Sequence, residues 1–227
     1  MKVEIVHRHS NTAAKVNLSS GEELTTESGA MIAMSGNMGI STSTYKKGGG
    51  SIFKAVKRLF AGESFFLNHF SAQGGPAEIW LSPVLMGDLL EYDLAGESLV
   101  VQSGSFLAAE SSVEMDVGWQ GFKNLFSGES LFWLNLKGRG KVILSSFGVI
   151  YPVAVDGEYI VDTGHIVAFQ ETLNYTLSKA GKSWISSYLG GEGIICKFQG
   201  KGIVYCQSHN PSNFGWALNP LLKPRTR

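Results

Sequence analysis

Apolar and polar positions alternate along much of the chain. The leading segment Lys2–His7 places Val3 and Ile5 on one side, the period-2 pattern of a half-buried strand. The runs VIYPVAVD and EYIVD, from Val149 and from Glu158, are rich in β-branched and aromatic residues and read as further strands. A different period interrupts them three times. Phe53, Val56, Leu59 and Phe60 recur at three- and four-residue spacing, as do Trp119, Phe122, Leu125 and Phe126, and again Trp184, Ile185, Tyr188 and Leu189. That spacing predicts three short amphipathic helices.

Each predicted helix runs into the same motif: LFAGESFF at Leu59–Phe66, LFSGESLF at Leu125–Phe132 and YLGGEGII at Tyr188–Ile195. The anchoring glycines, Gly62, Gly128 and Gly191, suit the left-handed residue that ends a helix, and stand 66 and 63 residues apart. After each motif comes an apolar run, a glycine cluster and a second apolar run: FFLNHFSAQGGPAEIWL, LFWLNLKGRGKVIL and IICKFQGKGIVYC. Glycine between β-rich runs predicts a hairpin in each case. A second motif lies upstream. SGEELTTESGAMIAM, AGESLVVQSGSFLAA and DGEYIVDTGHIVAF place Gly21, Gly96 and Gly157 before an acidic residue. Gly29, Gly104 and Gly164 then precede an apolar strand. Two motifs in the same order, three times over, predict internal repetition.

The predicted organisation is a leading strand over residues 1–12, repeats over 13–83, 84–148 and 149–211, and a C-terminal tail over 212–227 with a basic end. The fold class is all-β, with many short strands and glycine turns in a sandwich- or barrel-like arrangement. A unit of this size buries only a small core alone, so the three are expected to pack together with pseudo-threefold symmetry.

Composition narrows the function. Hydrophobic residues make up 44% and charged residues 17%, a globular balance. Lys plus Arg equals Asp plus Glu, 19 against 19, which disfavours broad binding to nucleic acid. The N-terminus MKVEIVHRHSN has no apolar core of a secretory signal, and no run reaches the ~18–20 apolar residues of a spanning helix. A cytoplasmic location is expected, in solution or peripheral to a membrane.

Candidate chemistry is sparse. Cys196 and Cys206 flank KFQGKGIVY and would face each other across the predicted hairpin. Reduced thiols are expected there, because cross-strand disulfide geometry is demanding and a cytosolic setting is reducing. They lack zinc spacing. His7 and His9 share one strand face but have no third ligand, and His69, His165 and His209 stand singly. Gly181-Lys182-Ser183 imitates the end of a phosphate loop, but Thr176 stands where the loop needs its first glycine. No catalytic residue, cofactor or metal site is assigned, and an enzyme is not expected.

One stretch stands out by charge. Lys46, Lys47, Lys54, Lys57 and Arg58 fall within thirteen residues that hold no acid, around the helix predicted after Ser51. A basic amphipathic helix can lie on an anionic membrane or a protein partner. The plainer reading, a helix whose apolar face covers the core, is favoured because the other two helices lack the basic face.

The stretches FKAVKRLFAGESFF (Phe53–Phe66) and GFKNLFSGESLFW (Gly121–Trp133), with the threefold motif, resemble the bacterial homologues of the family named for altered inheritance of mitochondria. The resemblance covers nearly the whole chain. It implies units like the tryptophan RNA-binding attenuation protein, each a small double-stranded β-helix, in a fold that assembles into rings. It carries over no active-site residue. The function expected is a non-enzymatic scaffold or interaction protein near membranes, self-associating as a trimer or higher ring. The alternative is a ring that binds a small ligand or nucleic acid.

Overall fold

A computed structural model of the chain describes residues 1–8, 11–44, 66–118, 133–179 and 194–223. Among these residues the fold is all-β, with sixteen strands and one α-helix. In chain order the strands are β1 (Lys2–Val6), β2 (Ala13–Leu18), β3 (Glu23–Glu27), β4 (Met31–Met34), β5 (Met38–Thr44), β6 (Phe66–Ala72), β7 (Ala77–Leu81) and β8 (Leu89–Ala95). They continue with β9 (Leu99–Gln102), β10 (Phe106–Glu110), β11 (Val113–Gly118), β12 (Trp133–Ser145), β13 (Ile150–Asp162), β14 (Ile166–Gln170), β15 (Asn174–Lys179) and β16 (Ile194–Gln207). The helix α1 spans Pro211–Leu218.

Alternation explains the strands that face one core. In β2, Ala14, Val16 and Leu18 are buried while the residues between them are half-buried, and β7 repeats the pattern with Ala77, Ile79 and Leu81. Val3 and Ile5 of β1 pack on the same cluster, as their period predicts. A four-stranded sheet has the order β1-β2-β7-β4. A larger sheet runs β13-β16-β14-β9-β12-β10-β3-β6-β5, with β8 and β11 also paired to β12 and β15 to β16. Apolar residues collect in three clusters. One centres on Val16, Leu24, Phe70 and Ile79, the next on Leu99, Phe106, Leu134 and Leu144, and the third on Trp133, Phe169, Phe198 and Val204.

The glycine clusters do not make the hairpins that their sequence predicts. β12 and β16 are single strands of 13 and 14 residues that continue through Gly138–Gly140 and Gly200–Gly202. β6 and β7 are separate strands, but β6 pairs with β3 and β5 whereas β7 pairs with β2 and β4. The glycines serve close approach instead. Gly138 has φ +111, and a Cβ there would stand 2.8 Å from the carbonyl oxygen of Ser112, at the tip of the β10–β11 turn. A Cβ on Gly202 would meet the Thr172 hydroxyl at 2.6 Å in the turn before β15. Gly138→Ala is therefore expected to lower unfolding free energy by about 1–3 kcal/mol, through backbone strain and a displaced turn, as measured by chemical denaturation.

Tight polar contacts hold the turns at one end of the sheets. Gly87 and Gly148 form an isolated parallel bridge, and a Cβ on Gly87 would collide with the Ser146 carbonyl. The Asp88 carboxylate, buried beside them, accepts from the Leu89 amide at 2.9 Å and from the Thr12 hydroxyl at 3.4 Å. Gln207 ties two further turns, accepting from the Phe147 amide at 2.8 Å and donating to the Gly164 carbonyl at 2.9 Å. After β16, the Asn210 side chain caps α1 by accepting from the amides of Ser212 and Asn213, and Pro211 opens the helix.

Candidate functional site

The residues singled out for a membrane or partner surface, Lys46, Lys47, Lys54, Lys57 and Arg58, lie outside the described residues. So do the three predicted helices, His9, the Gly181-Lys182-Ser183 stretch and the glycines Gly62, Gly128 and Gly191.

Cys196 and Cys206 are both unbonded and buried in the third cluster. They sit ten residues apart on one strand rather than across a hairpin. Their cross-strand neighbours on β13 are Val161 and Tyr151, so neither stands opposite the other. Burial pushes the Cys196 thiol up to about 12 and the Cys206 thiol up to about 11. Neither supplies a thiolate at neutral pH. His69 meets the Thr25 hydroxyl at 3.0 Å, His165 the Gln207 carbonyl at 2.8 Å and His209 the Ser208 hydroxyl at 2.8 Å. Among the described residues no three His, Cys, Asp or Glu side chains gather as metal ligands.

Two titratable groups carry information about packing. Lys141 on β12 reaches Glu91 and Asp93 of β8, and those hydrogen bonds, first the one to Glu91, raise its ammonium above the usual range. Glu27 ends β3 opposite Leu67, and burial raises its carboxyl to about 7. Its unfolded value is near 4.5. As pH rises from 4.5 to 7, the unfolded chain ionises Glu27 first, so stability falls through that window. Below 4.5 both states hold the proton and the penalty vanishes. Glu27→Gln is expected to stabilise the protein by about 1–3 kcal/mol at pH 8 and to change nothing at pH 4, in denaturation curves taken at both.

The third cluster is the most aromatic. Phe169 meets Trp133, Tyr175 and Phe198 edge-on, with ring centroids 5.3, 5.0 and 5.0 Å away. Trp133 belongs to β12, yet it packs here with residues of β13–β16. The Trp133 Nε1–H and the Asn135 Oδ1, two residues apart on β12, are buried without hydrogen-bond partners among the described residues.

The feature with the clearest functional meaning is apolar surface on open sheet edges. β4 is the last strand of the four-stranded sheet, and β13 is the last strand of the larger one. Met31, Ile32 and Met34 of β4 are 38%, 57% and 38% exposed, and Tyr159 and Ile160 of β13 are 46% and 52% exposed. Strands β10 and β14 have much the same composition as β4, FLAAE and IVAFQ, but bury four of their five residues. The difference is a neighbour. β10 pairs with β3 and β14 with β9, whereas among the described residues β4 pairs with β7 alone. Natural edges are usually blunted by charge or proline. Met31–Met34 carries neither. Near the C-terminus, α1 rests Phe214 on Phe147 at 5.2 Å, while Leu221 and Leu222 beyond it are exposed.

Sequence reading located the strand after Gly29 and the strand after Gly157 but singled out none of these five side chains. The usable signal was the apolar run MIAM at one end of the repeated pattern, which needs a covering strand as FLAA and IVAF do.

Among the described residues, then, the fold is all-β and exposes apolar side chains on β4 and β13. The sequence profile of the family described as mitochondrial biogenesis AIM24 matches residues 3–209, and the chain belongs to that family. An uncharacterized protein of Streptococcus pyogenes serotype M6 is 28% identical over 214 residues, which are 92% of this chain and 86% of that protein. The crystal structure of a Streptococcus pyogenes protein superposes with a TM-score of 0.80 at 25% identity, over 97% of this chain and 99% of that one. Among the described residues no helix is long and apolar enough to cross a membrane.

Proposed function

We propose that the chain is a non-enzymatic scaffold, built from three copies of one β unit, that joins to further copies of itself through its open edges. The support for three units is one pairing plan that can be traced three times. In the first unit β7 lies between β2 and β4, and β6 lies between β3 and β5. In the second, the C-terminal half of β12 lies between β8 and β10, and its N-terminal half between β9 and β11. In the third, β16 takes the same two roles toward β13, β14 and β15. The register shifts at the same point of each plan: Met31/Ala33, Phe106/Ala108 and Ile166/Ala168.

Neighbouring units join in one way. β10 of the second pairs with β3 of the first, and β14 of the third pairs with β9 of the second. The observation that carries the function is what remains: a β4 edge and a β13 edge, both apolar and both exposed. A head-to-tail contact of this type closes into a ring when the rotation permits. Light scattering over a dilution series tests the reading. The scaffold predicts a mass that is a multiple of one chain at micromolar concentration and falls on dilution. A single-chain mass at every concentration would contradict it.

A further inference from the structure

We propose that Met31 and Met34 of β4 form a reversible oxidation site, at which a peroxide converts the two thioethers to sulfoxides and so holds chains apart. The proposal rests on the three-unit reading above, with chains joined through the β4 edge, and adds a chemical control to it. Among the described residues β4 pairs on one side alone, and both of its methionines are 38% exposed. The other methionines are placed differently. Met1 packs on the first cluster, and Met38 and Met115 are buried, at 7% and 9% exposure. Met86 is 66% exposed, but it lies in the loop before β8, on neither open edge.

Methionine is confined to the copy of this strand that has an open side. In the pairing plan of the three units Met31 stands opposite Leu81, Phe106 opposite Leu144 and Ile166 opposite Cys206. Further along the same strands, Met34 stands opposite Ile79, Ala109 opposite Val142 and Phe169 opposite Val204. The counterparts of Met31 are 0% and 1% exposed, and those of Met34 are 2% and 1% exposed. None of these four side chains contains sulfur. The two thioethers thus occupy positions that a neighbouring strand covers in the other units and that the separated chain leaves open to water.

The thioether sulfur attacks one oxygen of the peroxide. The S–O bond forms as the O–O bond breaks, and the displaced oxygen takes a proton and leaves as water or an alcohol. Sulfur loses two electrons and the peroxide gains them. In the separated chain both side chains already reach water, so the sulfoxide oxygens are solvated and the fold tolerates them. Between joined strands the backbone amides pair with one another, and a sulfoxide buried beside them lacks a donor. Two such groups raise the dissociation constant by about a hundredfold or more. Oxidation and joining then compete for one surface, because the joined chain shields its sulfurs and the oxidised chain stays single. Methionine sulfoxide reductases, one for each sulfoxide epimer, restore the thioethers.

To test this, the full chain is treated with hydrogen peroxide while dilute, freed of peroxide and concentrated again. Peptide mass analysis is expected to find sulfoxide at Met31, Met34 and Met86 before Met38 and Met115. Light scattering is expected to show the oxidised chain single at concentrations where the unoxidised chain is a multimer. Both sulfoxide reductases together should restore the multimer. In chain oxidised while concentrated, Met31 and Met34 should react at least about tenfold more slowly than Met86. The variant Met31→Leu/Met34→Leu keeps its side-chain volume and should associate after peroxide as it does before, although its Met86 is oxidised. Oxidised wild type that associates without reductase, a leucine variant that peroxide separates, or equal rates at Met34 and Met86 in the concentrated chain would each overturn the proposal. If the unoxidised chain is a multimer in those cases, the scaffold reading stands and the oxidation site alone falls. If it is single at every concentration, both fall.

Discussion

Replacing Ile32 and Ile160 together with lysine is expected to abolish joining between chains while leaving the single chain folded. Both side chains are more than half exposed in the isolated chain, so lysine there keeps its ammonium in water and costs the monomer little. At the joined edge the same positions lie where Leu107, Val167 and Val100 lie at the formed junctions, 0%, 0% and 9% exposed. An unpaired ammonium held there costs about 3–5 kcal/mol, which weakens association by more than roughly a hundredfold. Sedimentation velocity at a concentration where the wild type is fully associated should show the variant as single chains. Its circular dichroism and melting should match those of the dilute wild type. A variant that stays associated would place the contact elsewhere, with the apolar tail at Leu221 and Leu222 the next surface to change.

Phe169→Ala is expected to produce the largest loss of stability of any substitution considered. The ring is 1% exposed and stands edge-on to Trp133, Tyr175 and Phe198 at once. Its removal empties the centre of the third cluster and unseats Trp133, the β12 residue packed there. Phe-to-Ala changes in such surroundings cost about 3–5 kcal/mol, or roughly 6–20 °C in melting temperature for a chain of this length. Calorimetry checks the size. A loss under about 1 kcal/mol would mean that the third cluster collapses around the gap. The unpartnered Trp133 Nε1–H makes Trp133→Phe a useful companion, because that change removes no hydrogen bond.

The strand content of the fold was legible in the sequence, and the reasons are local. Alternation in AAKVNL and AEIWL marks β2 and β7 because each strand shows one side to a core. The glycine-rich runs misled because glycine reports two different needs. KGRGK and QGKGI look like hairpin turns, but their glycines let the β10–β11 and β14–β15 turns press against a continuous strand. That proximity is tertiary and leaves no local signal. The placement of Cys196 opposite Cys206 fell with the hairpin, since the two cysteines stand ten residues apart on one continuous strand.

The candidate surface was less legible for the same reason. MIAM, FLAA and IVAF are interchangeable as local sequence, and so are LTT, LVV and YIV. What separates Ile32 from Leu107 is whether a neighbouring strand pairs on that side, which is fixed by tertiary pairing and not by composition. The open edges could be reasoned to exist from three units in a row, but the side chains that line them became identifiable only once the register of the two formed junctions was known.

Amide hydrogen exchange followed by peptide mass analysis tests the central claim most directly, because it reads the two edges themselves. In the dilute, single-chain state, residues 31–35 and 158–162 should exchange on their outward side, while the formed junction of residues 106–110 with residues 24–26 stays protected. In the concentrated state, both edge segments should gain protection together, with the same concentration midpoint. Edges that exchange equally fast at all concentrations, or one edge protected without the other, would contradict the account.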